Sequence, residues 1–451
     1  ALQQAASTGS PTTATATISN YSFLSQFGLI DFNYKDKYIL SGSFRRDGSS
    51  RFGPNNRYGN FYSVGASWNV EKEEFLANSR VINQLKLRGS YGKNGNASID
   101  NYDYFRGYSF AANYNGTPGS SFSNLGNPDL TWEENRPLDL GIDLGFFKNR
   151  INITADVYKR KSSRLLLDQP LSRTSGFLSI RKNIGALENK GLELTVNLIP
   201  VTTKNFTWDI SFNYATNKNK ITSLPDGKDI NNGLYIFREG YDVQSYYLRT
   251  YAGADPANGD PLWYTDSSLS KTQNSYSSAK RIVHHSASPT YFGGLTNTFK
   301  YKGFSLEVQF YYSGGNYSYD NFNLYYLAAG FGPTFNKSSR VLDRWQKPGD
   351  VTDMPKYIFN GNKGFQNASS FYQNKGDYIR LRNLQLGYSL PSDMASKIKL
   401  SSAFFYVRGT NLFTHVKDKN QPFDPEQGAS SFSNLNEFIP RTISVGLNLG
   451  F

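Results

Sequence analysis

The chain has 451 residues, of which 19% are charged and 16% aromatic, with 32 Tyr and 33 Phe; ordinary soluble domains carry about 25% charged residues. Without Cys there is no disulfide, thiolate zinc or iron–sulfur site, and three His, two of them adjacent (His284, His285), argue against a histidine-rich catalytic or metal centre. The net charge of 49 − 36 = +13 is scattered with no basic run of five, which argues against nucleic acid, and no run of 18 apolar residues exists to form a membrane-spanning helix.

In chain order, the recurring signal is an amphipathic stretch of about ten residues with period two. It predicts thirteen strands, at about 22–34, 37–46, 60–70, 81–91, 134–147, 150–162, 188–200, 205–216, 290–301, 303–313, 377–390, 401–411 and 439–451. Leu138, Leu140, Ile142, Leu144 and Phe146 alternate with Asp139, Gly141, Asp143 and Gly145. Leu192, Leu194, Val196 and Leu198 oppose Glu193, Thr195 and Asn197, and the last strand puts Ile443, Val445, Leu447, Leu449 and Phe451 on one face. The alternation slips near Asn383, which predicts a β-bulge. Residues 71–79 read as a short helix. Residues 243–252 read as β-structure inside a loop, since a wall strand there would put the tight turn at 301–303 on the long-loop side.

A soluble sandwich would bury such apolar faces against each other, whereas a transmembrane barrel would turn them to lipid around a wet lumen. Connection lengths decide. Turns at 35–36, 148–150 and 301–303 are tight, while 92–131, 217–289 and 314–375 are long, and this asymmetry is that of a barrel. An odd strand count with the C-terminus on the short-turn side implies that the sequence begins partway round. Residues 1–20 are then expected to be an extracellular loop segment, and 21–451 the C-terminal part of the barrel.

Several landmarks now carry a resemblance. They are Phe-Arg-Arg-Asp-Gly-Ser-Ser-Arg-Phe-Gly-Pro-Asn-Asn-Arg-Tyr-Gly at 44–59, Leu-Lys-Leu-Arg-Gly-Ser-Tyr-Gly-Lys-Asn-Gly-Asn at 85–96 and Asn-Pro-Asp-Leu-Thr-Trp-Glu at 127–133. Others are Asn-Ile-Gly-Ala-Leu-Glu-Asn-Lys-Gly-Leu-Glu-Leu at 183–194, Arg-Leu-Arg-Asn-Leu-Gln-Leu-Gly-Tyr-Ser-Leu-Pro at 380–391, Arg-Gly-Thr-Asn-Leu-Phe-Thr at 408–414 and Phe-Asp-Pro-Glu at 423–426. In this order they resemble SusC/RagA-type TonB-dependent outer-membrane transporters over essentially the whole chain. The resemblance implies a 22-stranded, plugged barrel with a periplasmic C-terminus, capped by a SusD-like surface lipoprotein and energised by TonB, and set in outer-membrane lipid and lipopolysaccharide. The plug and about nine strands (22 − 13) would lie outside this sequence. The expected function is import of a glycan, oligosaccharide or peptide, without enzymatic activity. The alternatives are an accessory barrel subunit of a larger assembly and a soluble carbohydrate-binding module.

Asp139, Asp143, Asp156, Glu193, Asp209 and Glu307 are expected on the lumen wall rather than in a catalytic pair. No metal or cofactor is expected, and at 255–280, where relatives often carry an acidic stretch, the chain offers Asp255-Pro256-Ala257-Asn258-Gly259-Asp260 and then a Ser/Lys-rich run. His284 and His285 read as a solvated loop pair. Among loop aromatics, Tyr246, Tyr247, Trp263, Tyr264 and Tyr325 are candidate substrate contacts, with loop packing or a lipid girdle as the alternative. From the resemblance, loops 92–131 and 163–187 would hinge the lipoprotein lid through Tyr102, Tyr104, Phe105, Tyr108, Phe110, Leu165, Leu166 and Phe177. The alternative is that they pack on one another over the mouth. Phe451, a terminal aromatic, is expected to signal barrel assembly.

Overall fold

The computed structural model describes residues 18–421, 423–426, 432–433 and 438–451. Of the segment expected at 1–20, only 18–20 fall within them. Thirteen strands run in chain order: β1 Phe23–Tyr34, β2 Tyr38–Ser49, β3 Tyr58–Asn69, β4 Ile82–Asn96, β5 Glu133–Phe146, β6 Ile151–Ser163, β7 Ala186–Thr202, β8 Phe206–Thr216, β9 Tyr291–Tyr301, β10 Phe304–Gly314, β11 Tyr378–Ser389, β12 Ser402–Val416 and β13 Thr442–Gly450. Each start lies within three residues of its predicted one. Only β4 and β12 run clearly farther than the alternation suggests, to 96 against 91 and to 416 against 411. The thirteen are neighbours in sequence order in one sheet, joined by a short strand, Lys218–Ser223, that pairs β7.

The chain divides into two compact units: residues up to 66 with 89–138 and 160–187, and residues 67–88 with 139–159 and 188–451. In the second unit the register explains the alternation. Opposed residues of an antiparallel pair share a face, and the apolar ones line up from strand to strand. One row is Val196–Phe212–Leu295–Phe310–Leu381–Phe413, and the next Trp208–Phe299–Leu306–Leu386–Val407–Val445. At the short-turn end runs Phe206–Tyr301–Phe304–Tyr388–Phe405–Leu447. Leu386, Val407, Phe413, Val445 and Phe304 remain exposed, so among the described residues no protein layer covers this face. The opposite face carries rows such as Asp209–Thr298–Glu307–Gln385–Arg408–Ser444.

The bulge expected near Asn383 is present: the register of β11 against β12 shifts between Leu381 and Asn383. One extra residue lets Arg382 and Asn383 both turn to the polar face before Leu384 resumes the apolar row. The helix expected at 71–79 is not formed. A 3-10 turn covers Val70–Lys72, followed by turns in which the Leu76 and Ala77 amides donate to the Glu73 carbonyl. Here Glu73 accepts from the Trp68 indole at 3.1 Å and Glu71 from the Leu85 amide at 3.2 Å, and these side-chain anchors hold the segment in short turns. Residues 243–252 contribute a strand, Ser245–Arg249, to a small loop sheet with Ile230–Asn232, Tyr235–Phe237 and Arg281–Ser286.

Candidate functional site on the loop side and the polar face

In the first unit the signature segments build an internal scaffold. Phe52, Phe61, Ala97, Ile99, Tyr104, Leu130, Trp132 and Leu166 form one buried cluster. The Trp132 indole donates to the Arg57 carbonyl at 2.9 Å, with its ring 5.4 Å from Phe52 and 5.3 Å from Phe61. A Cβ on Gly53 would meet the Pro128 carbonyl at 2.5 Å, so close approach requires glycine there. Glu133 accepts from the Leu166 amide at 2.7 Å and from Asn96 at 2.6 Å, and Glu134 pairs with Lys93, Arg136 and Arg164 at 2.8–3.1 Å. These residues tie the two expected hinge loops to their strands.

The expected hinge residues split accordingly. Tyr104 and Leu166 belong to the buried cluster, which gives them a packing role, and Leu165 and Phe177 are half-buried. Tyr102, Phe105, Tyr108 and Phe110 are exposed, Phe110 at 79%. The last two stand on a hairpin of Tyr108–Tyr114 and Thr117–Phe122, where Tyr108 packs on Phe122 at 4.8 Å. Leu178, not singled out from sequence, is 78% exposed in the neighbouring loop.

In the second unit the long loops have a core of their own, including Tyr246, Leu248, Trp263, Tyr319, Met354, Phe365 and Tyr372. Tyr246 and Trp263 are fully buried, which corrects their expected role as substrate contacts: these rings hold the loops together. Tyr325 stacks among Phe322, Phe331 and Phe335 and is half-buried. Tyr247 lies under the guanidinium groups of Arg281 and Arg238, at 4.4 and 5.7 Å, and Tyr264 is half-buried. The histidine pair is not simply solvated. His284 Nε2 lies 3.0 Å from Thr250 Oγ1, and His285 stacks on Tyr317 at 3.7 Å. Burial, then the neighbouring His285, brings the His284 pKa down to about 4.

Asp260, within the stretch compared with acidic loops, is held by Lys363 at 2.5 Å and Lys356 at 3.0 Å. Burial pushes its pKa up, but the two ammonium groups outweigh burial and leave it below the ordinary value. No group of three metal-ligating side chains occurs among the described residues.

On the polar face, three signature segments meet. Arg380 is 1% exposed and donates to Asp424 at 2.5 Å, and Arg382 donates to Glu426 at 2.7 Å. Arg382 also reaches Asn411 at 3.3 Å, and Asn411, in the left-handed region at φ 56°, donates to the Pro440 carbonyl at 3.3 Å. Residues 44 apart in sequence thus pin the last long connection to the strand wall. The spacing of these segments along the chain does not reveal that they meet. Of the expected wall carboxylates, Asp143 and Asp156 share Arg88, at 3.2 and 2.6 Å, and Glu307 accepts from Asn383 at 2.6 Å. Phe451 is 93% exposed at the end of the last apolar row.

The family described as TonB dependent receptor-like, beta-barrel, matches residues 3–306. The chain belongs to that family. It is 32% identical over 95% of its length to TonB-dependent receptor P3 of Formosa agariphila, covering 45% of that protein. It is 30% identical over 97% of its length to TonB-dependent receptor SusC of Bacteroides thetaiotaomicron, covering 44%. The solved structure of the RagAB peptide transporter matches 99% of the chain and half of its own, with TM-score 0.87 and 29% identity. The chain therefore spans about half the length of the curated relatives it matches. Its strands are those of a TonB-dependent transmembrane β-barrel, as the alternation and connection lengths predict. These relatives are receptors and transporters rather than enzymes.

Proposed function

We propose that this chain is the C-terminal wall and loop region of a SusC-like importer that brings a glycan, oligosaccharide or peptide across the outer membrane with TonB as energy source. The observation that carries the reading is the match to the RagAB peptide transporter along 99% of the chain. The uncovered apolar rows would face lipid, and the polar face, with its paired carboxylates, a wet lumen. TonB would act through parts of the protein beyond this chain, with the C-terminus in the periplasm.

A SusD-like lipoprotein would close on the loop side. Tyr102, Phe105, Tyr108, Phe110 and Leu178 offer the apolar surface such a partner needs, since exposed patches of this kind mark interfaces. In the full-length protein, replacing 102–114 with a Gly/Ser linker should leave a heat-modifiable barrel but release the lipoprotein on purification. A lid retained at normal stoichiometry would remove the hinge role. Uptake that persists without TonB would favour the accessory-subunit alternative.

A further inference from the structure

Five connections of the second unit lie at the short-turn end of the strands: 70–81, where Glu71, Glu73 and Glu74 stand with Lys72 and Arg80, and the four at 147–150, 203–205, 302–303 and 390–401. The last four carry Lys148, Arg150, Lys204, Lys302, Lys397 and Lys399 against one acid, Asp393. All six cations are exposed, and no carboxylate pairs with any of them among the described residues. On the loop side Arg238, Arg340, Lys356, Lys363 and Arg380 each hold an Asp, whereas the exposed Lys271 and Lys280 form no ion pair among the described residues. Backbone geometry does not account for the lysines. Lys148, Lys302 and Lys399 sit in the left-handed region, at φ 57°, 44° and 60°, where Gly or Asn is easier to accommodate.

Directly beside these cations runs the aromatic row Phe206–Tyr301–Phe304–Tyr388–Phe405. Lys302 Nζ rests 5.4 Å from the Tyr301 ring. A cleft of about 330 Å³ opens among Phe147, Arg150, Ile151, Leu198, Ile199 and Pro200. In it Arg150 donates through Nε to the Ile199 carbonyl at 3.1 Å and through Nη2 to the Pro200 carbonyl at 2.6 Å. Those carbonyls orient the guanidinium without neutralising it, and Nη1 takes no part in either bond.

We propose that this rim is a binding surface for an anionic phospholipid in the leaflet that the short turns reach. Its phosphate would be held by Arg150 and the turn lysines, and its chains by the cleft and the aromatic row. An apolar wall capped by unneutralised cations matches an amphiphile whose charged group is a phosphate. Guanidinium and ammonium groups bind phosphate oxygens strongly, and lysine stems can lie along apolar surface while the ammonium reaches the headgroup. The proposal rests on the reading of the apolar rows as lipid-facing.

The test uses the full-length receptor in nanodiscs of phosphatidylethanolamine with a minority of phosphatidylglycerol, released and weighed by native mass spectrometry. The unaltered protein should retain phosphatidylglycerol in preference to phosphatidylethanolamine. A Lys148→Asn/Arg150→Gln/Lys302→Asn/Lys399→Asn variant should lose that preference by roughly tenfold or more. Asn keeps the left-handed turns accessible, and heat-modifiable migration reports that the barrel has folded. A Lys271→Gln/Lys347→Gln variant on the loop side should behave as the unaltered protein. Equal retention of the two lipids by the unaltered protein, or undiminished preference in the rim variant, overturns the proposal. So does lipopolysaccharide displacing phosphatidylglycerol from the rim. Protein that stays soluble without detergent overturns the lipid-facing reading as well, which separates the two failures.

Discussion

His284 is a titratable ring folded into a loop sheet rather than left in water. Burial first, and then the neighbouring His285, favours the neutral form, so the folded pKa of about 4 lies below the ordinary value of 6.5. Between those values the unfolded segment binds more protons than the folded one. Stability of this region therefore falls as pH drops from 6.5 towards 4, by at most roughly 3 kcal/mol. His285, its pKa also lowered first by burial, acts in the same direction. Amide hydrogen exchange of 245–249 and 281–286 should show protection falling between pH 7 and 5, after correction for intrinsic rates. A His284→Asn/His285→Asn variant should flatten that dependence; an unchanged slope would assign it elsewhere. Tyr246 and Trp263 make the related point that an aromatic in a long loop can be core. Their rings are legible in sequence, but their direction is not, because stacking partners such as Tyr235 and Tyr251 come from other segments.

For a strand, facing follows from period and register together. Val196 lies in an apolar row with Phe212 and Leu295, and Asn197 beside Ser211 and Thr296 on the other face. Arg at a lipid-facing position near the bilayer midplane costs about 2–4 kcal/mol. Val196→Arg should therefore lower the folded, heat-modifiable fraction, while Asn197→Arg should assemble normally. Equal yields would overturn the facing. The last long connection depends on a buried charge pair instead. Removing one partner of such a pair costs about 3–5 kcal/mol by leaving the other charge uncompensated. Arg380 also reaches Glu426 at 3.5 Å, so Asp424→Asn/Glu426→Gln should free this connection, and trypsin should cut at Lys417 or Lys419 in a barrel that still migrates as folded. Protection equal to that of the unaltered protein would mean the pair does not hold the segment.

For the whole molecule, thirteen strands follow one another in a single sheet, and the chain spans about half the length of the curated relatives it matches. Signature segments in the first unit serve as scaffold: Phe52, Leu130 and Trp132 are buried among themselves. Residues that mark the family thus pack against one another here, while exposed loop aromatics such as Phe110 and Tyr108 lie outside the buried cluster.

Strand positions, the bulge near Asn383 and the two-faced wall were determined by the sequence alone. Period-two alternation and turn residues act over a few neighbours, and a long apolar–polar alternation leaves little freedom of register. Only the tertiary structure decided that 71–79 is a set of turns, because Glu71 and Glu73 are captured by Leu85 and Trp68. The same holds for the meeting of Arg380 with Asp424, for the burial of Tyr246 and Trp263, and for the exposure of the turn-side cations. Those outcomes depend on which distant segment supplies a partner, and alternation along one strand carries no record of that choice.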